Sequence, residues 1–130
     1  MLLFSFLRNF IIPKSFTSKK GSTPLSDWKV SGIIPTFNPS PKLYELVTTL
    51  LTYNPEMDVV IVDDCTPNSY NNQTLKRIQQ LEQSTPHVFF IKTPQNRLKA
   101  GAINYGLEYI HKELQGTFAV EVQHVGVKLT

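Results

Sequence analysis

The sequence has little of what marks several large classes of protein. Cys65 is the only cysteine, so no disulfide can form within the chain, which favours a reducing, cytoplasmic compartment. No apolar run reaches the roughly 20 residues that a membrane-spanning helix needs. Charged residues make up only 18% of the chain, and the formal net charge is +3. This weak, dispersed positive charge suits an anionic small ligand and gives no indication of nucleic acid as a partner.

The N-terminal region differs in composition from the rest. Residues 2–12 are apolar but interrupted by an arginine and an asparagine, and no basic segment precedes them as in a secretory signal. Two interpretations stay open: a loosely packed leader, or a segment that contacts a membrane surface. Residues 13–27 are rich in Ser, Thr, Lys, Gly and Pro, as flexible linkers are. We therefore predict a leader and linker over residues 1–28 and one folded domain over residues 29–130.

From residue 29 onwards the chain alternates between two hydrophobic periods. Short apolar runs typical of strands alternate with longer segments that carry apolar residues at helical spacing. The strand-like runs cover 29–34, 58–62, 88–91 and 117–122, and the helix-like segments cover 40–53, 74–84 and 98–114. This β-α-β-α-β-α-β order predicts an α/β fold, a Rossmann-like parallel sheet with helices on both faces. Such sheets bind ligands at the carboxyl ends of their strands, so we expect the site in the loops that follow Ile34, Val62 and Ile91.

The first of these loops reads Pro35-Thr36-Phe37-Asn38-Pro39. Its two prolines stiffen the backbone, and Asn38 can turn the chain or cap the next helix. A rigid loop at the end of a strand can hold a flat ring against its backbone. The alternative is an ordinary turn between a strand and a helix.

The second loop begins with two adjacent carboxylates, Asp63 and Asp64. Carboxylates directly after a buried strand are costly unless they meet hydrogen-bond donors or a cation. Asp63 can accept from a base or a ribose hydroxyl, and Asp64 can cap the next turn or approach a metal ion. The alternative is that both carboxylates only cap the loop. We expect at least one of them to contact a ligand.

The third segment, from Asn96 to Gly106, opens a helix. Helix N-termini favour anions, and Arg97 and Lys99 add positive charge there. The small residues at positions 100–102 allow a ligand or another element to come close. The alternative is a well-packed helix with basic groups on its surface.

In this order and at these strand ends, the three segments resemble the start of the inverting family 2 glycosyltransferases, which have the GT-A fold. In that family a Pro-Thr/Ala-Tyr/Phe-Asn loop follows the first strand, here residues 35–38. Val-Asp-Asp ends the second strand, here residues 62–64. An Asn-x-Gly-Lys-Ala-x-Ala-x-Asn-x-Gly-Leu helix comes next, here residues 96–107. The resemblance covers residues 30–107, well over half of the chain.

The resemblance implies a nucleotide-sugar site, with a UDP-sugar as the expected donor and a polysaccharide or lipid as the acceptor. It implies that the first loop faces the base, that one of the paired carboxylates holds base and ribose, and that two basic residues lie near the nucleotide or its phosphates. The residues it assigns to the donor are Pro35, Thr36, Phe37, Asn38, Asp63, Asp64, Arg97 and Lys99. The intact family also uses Mg²⁺ or Mn²⁺ on an Asp-x-Asp motif to stabilise the leaving diphosphate, and a later carboxylate as general base.

The chain departs from this pattern at three places. Cys65-Thr66 replaces Gly-Ser, which is a conservative change, and Leu98 replaces a glycine on the phosphate side. Where Asp-x-Asp is expected after the fourth strand, the sequence reads Gln123-His124-Val125, and it ends at Thr130. We therefore assign no catalytic or metal-binding residue and expect doubtful activity from this chain alone. A truncated or frame-shifted product is one hypothesis.

Such a chain is also expected to leave its fourth strand with an unpaired apolar edge, which favours self-association. Two other functions compete with a glycosyltransferase. A non-catalytic nucleotide-binding or interaction module fits the same motifs. A sugar nucleotidyltransferase fits less well, because its first loop is typically rich in glycine and residues 35–39 contain none.

Overall fold

The computed structural model describes residues 6–11, 29–114 and 118–123. Its strands are β1 Phe6–Ile11, β2 Val30–Thr36, β3 Asp58–Asp63, β4 Val88–Lys92 and β5 Phe118–Gln123. They form one sheet in the order β1-β5-β2-β3-β4. Strands β2 to β5 run parallel, whereas β1 pairs antiparallel with β5. The predicted parallel sheet is therefore confirmed, with an additional antiparallel strand at one edge.

Helices connect the parallel strands and cover both faces of the sheet. They are α1 Lys42–Tyr53, α2 Gln73–Ser84 and α3 Leu98–Tyr109, which continues into a π-helical turn, Ile110–Leu114. Apolar residues of α1 and α2 share one buried cluster, and those of α3 share the other. The predicted arrangement of helices on both faces is thus confirmed.

The middle of strand β3, residues 59–62, is apolar without interruption. All its residues are buried, and successive side chains of a strand point to opposite faces. Val59 and Ile61 belong to the cluster with α1 and α2, whereas Val60 and Val62 belong to the cluster with α3. A central strand between two helical layers therefore needs a continuous apolar run instead of an alternating one.

The edges of the sheet correct one prediction. Strand β5 was expected to expose an unpaired apolar edge, but β1 pairs with it along its whole length, from Phe6 opposite Gln123 to Ile11 opposite Phe118. The prediction is wrong because part of the apolar N-terminal region supplies the missing hydrogen-bonding partner. At the other edge, the backbone N–H of Phe90 in β4 donates to the carboxylate of Glu82 in α2, at 2.9 Å.

Most of the predicted leader and linker, residues 1–28, lies outside the described residues, so that boundary stays a prediction. The same holds for a membrane contact through residues 2–12, of which the structure describes only the backbone pairing of β1. Among the described residues, no helix has both the length and the apolar character needed to cross a membrane.

Candidate functional site

A cleft of about 780 Å³ opens at the carboxyl ends of the parallel strands. It lies at the end of β2, which has β3 on one side and β5 on the other. The chain adds β3 and β4 on one side of β2 and then returns to add β5 on the other side, and such a change of direction is the usual place for a ligand in these sheets. Its walls come from the loops after β2 and β4, and from the N-termini of α1 and α3. The lining residues are Ile34, Pro35, Thr36, Phe37, Asn38, Pro39, Ser40, Leu43, Asp64, Asn96, Leu98, Lys99, Ala102, Glu121 and Val122.

The structure brings together most of the residues that the sequence assigned to a ligand. Those that line the cleft are Pro35, Thr36, Phe37, Asn38, Asp64 and Lys99. Asp63 and Arg97 are not among the lining residues. The guanidinium of Arg97 lies 5.3 Å from the ring centroid of Tyr105, which is about two turns into α3. Its predicted place near phosphates stays a prediction.

Asp64 fixes the loop after β4 to the end of β3. Its Oδ1 accepts a hydrogen bond of 2.9 Å from the Thr93 hydroxyl and one of 2.8 Å from the Arg97 backbone N–H. The Asn96 amide donates to the Asp64 backbone carbonyl, at 3.3 Å. The side chain is only 5% exposed, so these donors offset much of the cost of burying its charge. Asp64 therefore borders the cleft and also fixes the loop after β4, which forms one of the walls of the cleft.

Asp63 fixes the position of the first loop, after β2, through Thr66. Its carboxylate is fully buried and accepts hydrogen bonds from the hydroxyl and the backbone N–H of Thr66. The Thr66 hydroxyl in turn accepts from the backbone N–H of Asn38, at 2.8 Å. The two carboxylates thus connect the loops by hydrogen bonds. For Asp63 this is the alternative that the sequence left open, in which the carboxylate caps its own loop. A direct contact between Asp63 and a base or ribose stays a prediction.

Positive φ angles follow three of the parallel strands. Asn38 after β2, Cys65 after β3 and Leu98 after β4 have φ angles of 49°, 61° and 65°. Asparagine adopts this left-handed conformation readily, whereas cysteine and leucine do so at a cost. Glycine is the residue that the family pattern has at both of the latter positions. The exchange at Cys65 is therefore not conservative for the backbone, contrary to what its side-chain chemistry suggested.

An ion pair lies in the cleft beside β5. The Lys99 ammonium is 3.1 Å from the carboxylate of Glu121, which is fully buried, while the lysine side chain is 53% exposed. Sequence reasoning did not place Glu121 in the site. The available signal was a lone glutamate inside an otherwise apolar run, because a buried carboxylate needs a charged or hydrogen-bonding partner.

The residues present do not fit a divalent cation of the family type. The sequence has Gln123-His124-Val125 where two carboxylates are expected. Among the described residues there is also no group of three or more His, Cys, Asp or Glu side chains that could hold a metal ion. Asp64 and Glu121 both line the cleft, but their carboxylates already serve Thr93, Arg97 and Lys99.

Comparisons with known proteins agree with the fold described above. The model of the family described as glycosyl transferase family 2 matches residues 31–118, which is more than half of the chain. The fold is similar to that of the mannosyltransferase PcManGT from Pyrobaculum calidifontis, solved in complex with GDP-Man and Mn²⁺, with a TM-score of 0.52 and 21% identity. That match covers 74% of this chain and 29% of the mannosyltransferase chain, and at this identity it concerns the fold alone. No curated protein matches the chain.

Proposed function

Because this chain belongs to glycosyl transferase family 2, we propose that its cleft binds the nucleotide part of a nucleotide-sugar donor. The binding serves glycosyl transfer to a polysaccharide or lipid acceptor in the family's reaction, and a UDP-sugar is the donor we expect. One observation carries the proposal. Three segments that the family pattern assigns to the donor, far apart in sequence, contribute lining residues to the same cleft at the carboxyl ends of the strands.

The size and lining of the cleft suit such a ligand. A volume of about 780 Å³ lies within the range of small-molecule sites, which are mainly apolar with a few polar groups. Phe37 is 51% exposed and offers an aromatic face to a base. Among the described lining residues, Lys99 alone is a lysine or arginine. Its ammonium lies 3.1 Å from Glu121 of β5, and it favours phosphate on that side of the cleft.

The carboxylates have a supporting part in this proposal. Asp64 holds the loop that carries Lys99, and Asp63 holds the loop that carries Phe37 through Thr66 and Asn38. Both loops are therefore set before the ligand arrives, which reduces the entropy that binding must otherwise remove.

A non-catalytic nucleotide-binding module is a second candidate, and the sequence after β5 favours it. The family stabilises its leaving diphosphate through Asp-x-Asp, and Gln123-His124-Val125 supplies no carboxylate at that place. We derive no metal-dependent step for this chain. Binding and turnover are consequently separate questions for experiment.

The proposal is tested by titrating the purified chain with UDP and with GDP in a calorimeter, with and without Mn²⁺. The site variant is Phe37→Ala, and the matched control is Tyr53→Ala, an exposed aromatic residue (78%) at the C-terminal end of α1. We expect one of the nucleotides to bind, Phe37→Ala to weaken it about tenfold, and Tyr53→Ala to leave it unchanged. Absence of binding by the unmodified chain would refute the proposal.

Turnover separates the two candidates once binding is established. The bound nucleotide's sugar conjugates are incubated with the chain, and release of the free nucleotide is followed over time. Release that Phe37→Ala reduces supports an enzyme. Binding with no release above the buffer rate supports the non-catalytic module.

A further inference from the structure

Leu98 combines two properties that do not stabilise the free protein. Its φ angle of 65° is in the left-handed region, which costs a residue with a side chain roughly 1 kcal/mol or more. Its side chain is 73% exposed, so little apolar surface is removed from water in return. A small or polar residue at this position would avoid one or both of these costs.

The conformation of Leu98 is imposed by its surroundings. The preceding residue, Arg97, donates its backbone N–H to Asp64, and the Leu98 N–H donates to the amide oxygen of Asn96, at 3.2 Å. Asn96 is itself bonded to the Asp64 carbonyl. A strained residue held in this way, with its side chain at the border of a cleft, is a reason to look for a function of that side chain.

Phe37 and Leu98 stand on two different walls of the same cleft. They are the large hydrophobic residues of the cleft lining that are strongly exposed, at 51% and 73%. Phe37 follows β2 and Leu98 follows β4, and β3 lies between these strands. A flat ring can pack with an apolar group at about 3.5–4 Å from each of its faces, so two exposed apolar side chains on different walls of one cleft can hold a planar ring between them.

We propose that Leu98 is the second apolar wall of the nucleobase subsite, opposite Phe37, and that it determines affinity for the base. This inference rests on the proposed nucleotide-binding function and adds to it a residue at a position where the family pattern has no side chain. The bound base covers the exposed leucine, so the apolar surface that is unfavourable in the free protein becomes a source of affinity.

The test compares two substitutions at position 98 with a matched control. Leu98→Ala removes most of the side chain and keeps the strain, whereas Leu98→Gly removes both. Cys65→Gly is the control, because Cys65 has a similar φ angle of 61° in the loop after β3 but does not line the cleft. Each variant is titrated with UDP, GDP and uridine, and its thermal midpoint is measured.

We expect both variants at position 98 to bind the preferred nucleotide about tenfold more weakly. Cys65→Gly should bind it as the unmodified chain does. If UDP is the preferred nucleotide, uridine should lose affinity by the same factor as UDP, because the contact is with the base. Both glycine variants should raise the thermal midpoint, whereas Leu98→Ala should not, which separates strain from contact.

Unchanged or tighter binding by Leu98→Gly and Leu98→Ala would overturn the inference and leave the proposed function intact. A loss for UDP with none for uridine would also overturn it, since the side chain would then act on the phosphates. Failure of the unmodified chain to bind UDP or GDP refutes the proposed function itself. The proposed function is tested on the unmodified chain and the role of Leu98 on the variants, so failure of one can be distinguished from failure of the other.

Discussion

Replacing Lys99 with methionine tests whether the ion pair in the cleft stabilises the fold. Methionine keeps much of the length and the apolar stem of lysine but removes the charge beside the buried Glu121 carboxylate. At the observed 3.1 Å, the attraction between two unit charges is about 5 kcal/mol with an effective dielectric constant of 20. Because Lys99 is 53% exposed, solvent screens the pair, and we expect a loss of about 2 kcal/mol in the free energy of unfolding.

The measurement is a double-mutant cycle in urea, followed by far-ultraviolet circular dichroism. With a slope of about 2 kcal/mol per molar urea, Lys99→Met should lower the unfolding midpoint by about 1 M. Adding Glu121→Gln should restore most of that loss, because the buried charge is then gone. Lys76→Met, on the exposed side of α2, is the control and should change little. A coupling energy below about 0.5 kcal/mol would show that the ion pair does not contribute to the stability of the fold.

Three further predictions concern packing, the sheet edge and titration. Gly106→Ala would place a Cβ 3.0 Å from Val62 Cγ2. The cost of overpacking, about 1–3 kcal/mol, should exceed the gain in helix propensity of about 1 kcal/mol, so the variant should unfold at a lower urea concentration. A variant that is more stable in urea would contradict this. Deleting residues 1–11 removes β1 and leaves the β5 edge unpaired, so light scattering should detect association; a stable monomer would contradict this. Burial, followed by the charge of Glu113, raises the pKa of Tyr109. The stability that Tyr109 contributes is present below its ordinary pKa near 10 and is lost as pH rises through the folded-state value. Tyr109→Phe should therefore flatten the alkaline fall in unfolding free energy, and an unchanged fall would count against this.

The four parallel strands could be predicted because their sequence patterns are local. A continuous apolar run such as residues 59–62 is typical of a strand covered on both faces, and helical spacing marks the segments between the runs. Strand β1 could not be predicted in this way. Its apolar run is short and interrupted, and its pairing depends on backbone hydrogen bonds with β5, more than 100 residues away along the chain. Antiparallel pairing of that kind leaves no local pattern in the sequence.

The lining of the site was predictable to the extent that strand ends define it. Residues 35–38 follow β2 directly, so any cleft at that edge of the sheet includes them. The function of the paired carboxylates was not predictable, because it depends on which donors the fold brings near each one. Asp63 meets Thr66 three residues on, whereas Asp64 meets Thr93, which lies 29 residues further along the chain. Only the folded chain shows that both donors are present.

The departures from the family pattern differ in what they change. At Cys65 and Leu98 the family pattern has glycine, which suits a backbone with a positive φ angle. Hydrogen bonds around Asp64 hold the same backbone path when other residues stand there. The cost is stability, and the cleft is still formed. At Gln123-His124-Val125 the family pattern has carboxylates because their negative charge binds the divalent cation, and no backbone arrangement can supply that charge. The cleft that we propose to bind a nucleotide does not depend on these carboxylates, whereas metal-assisted transfer in the family does, so the experiments measure binding and turnover separately.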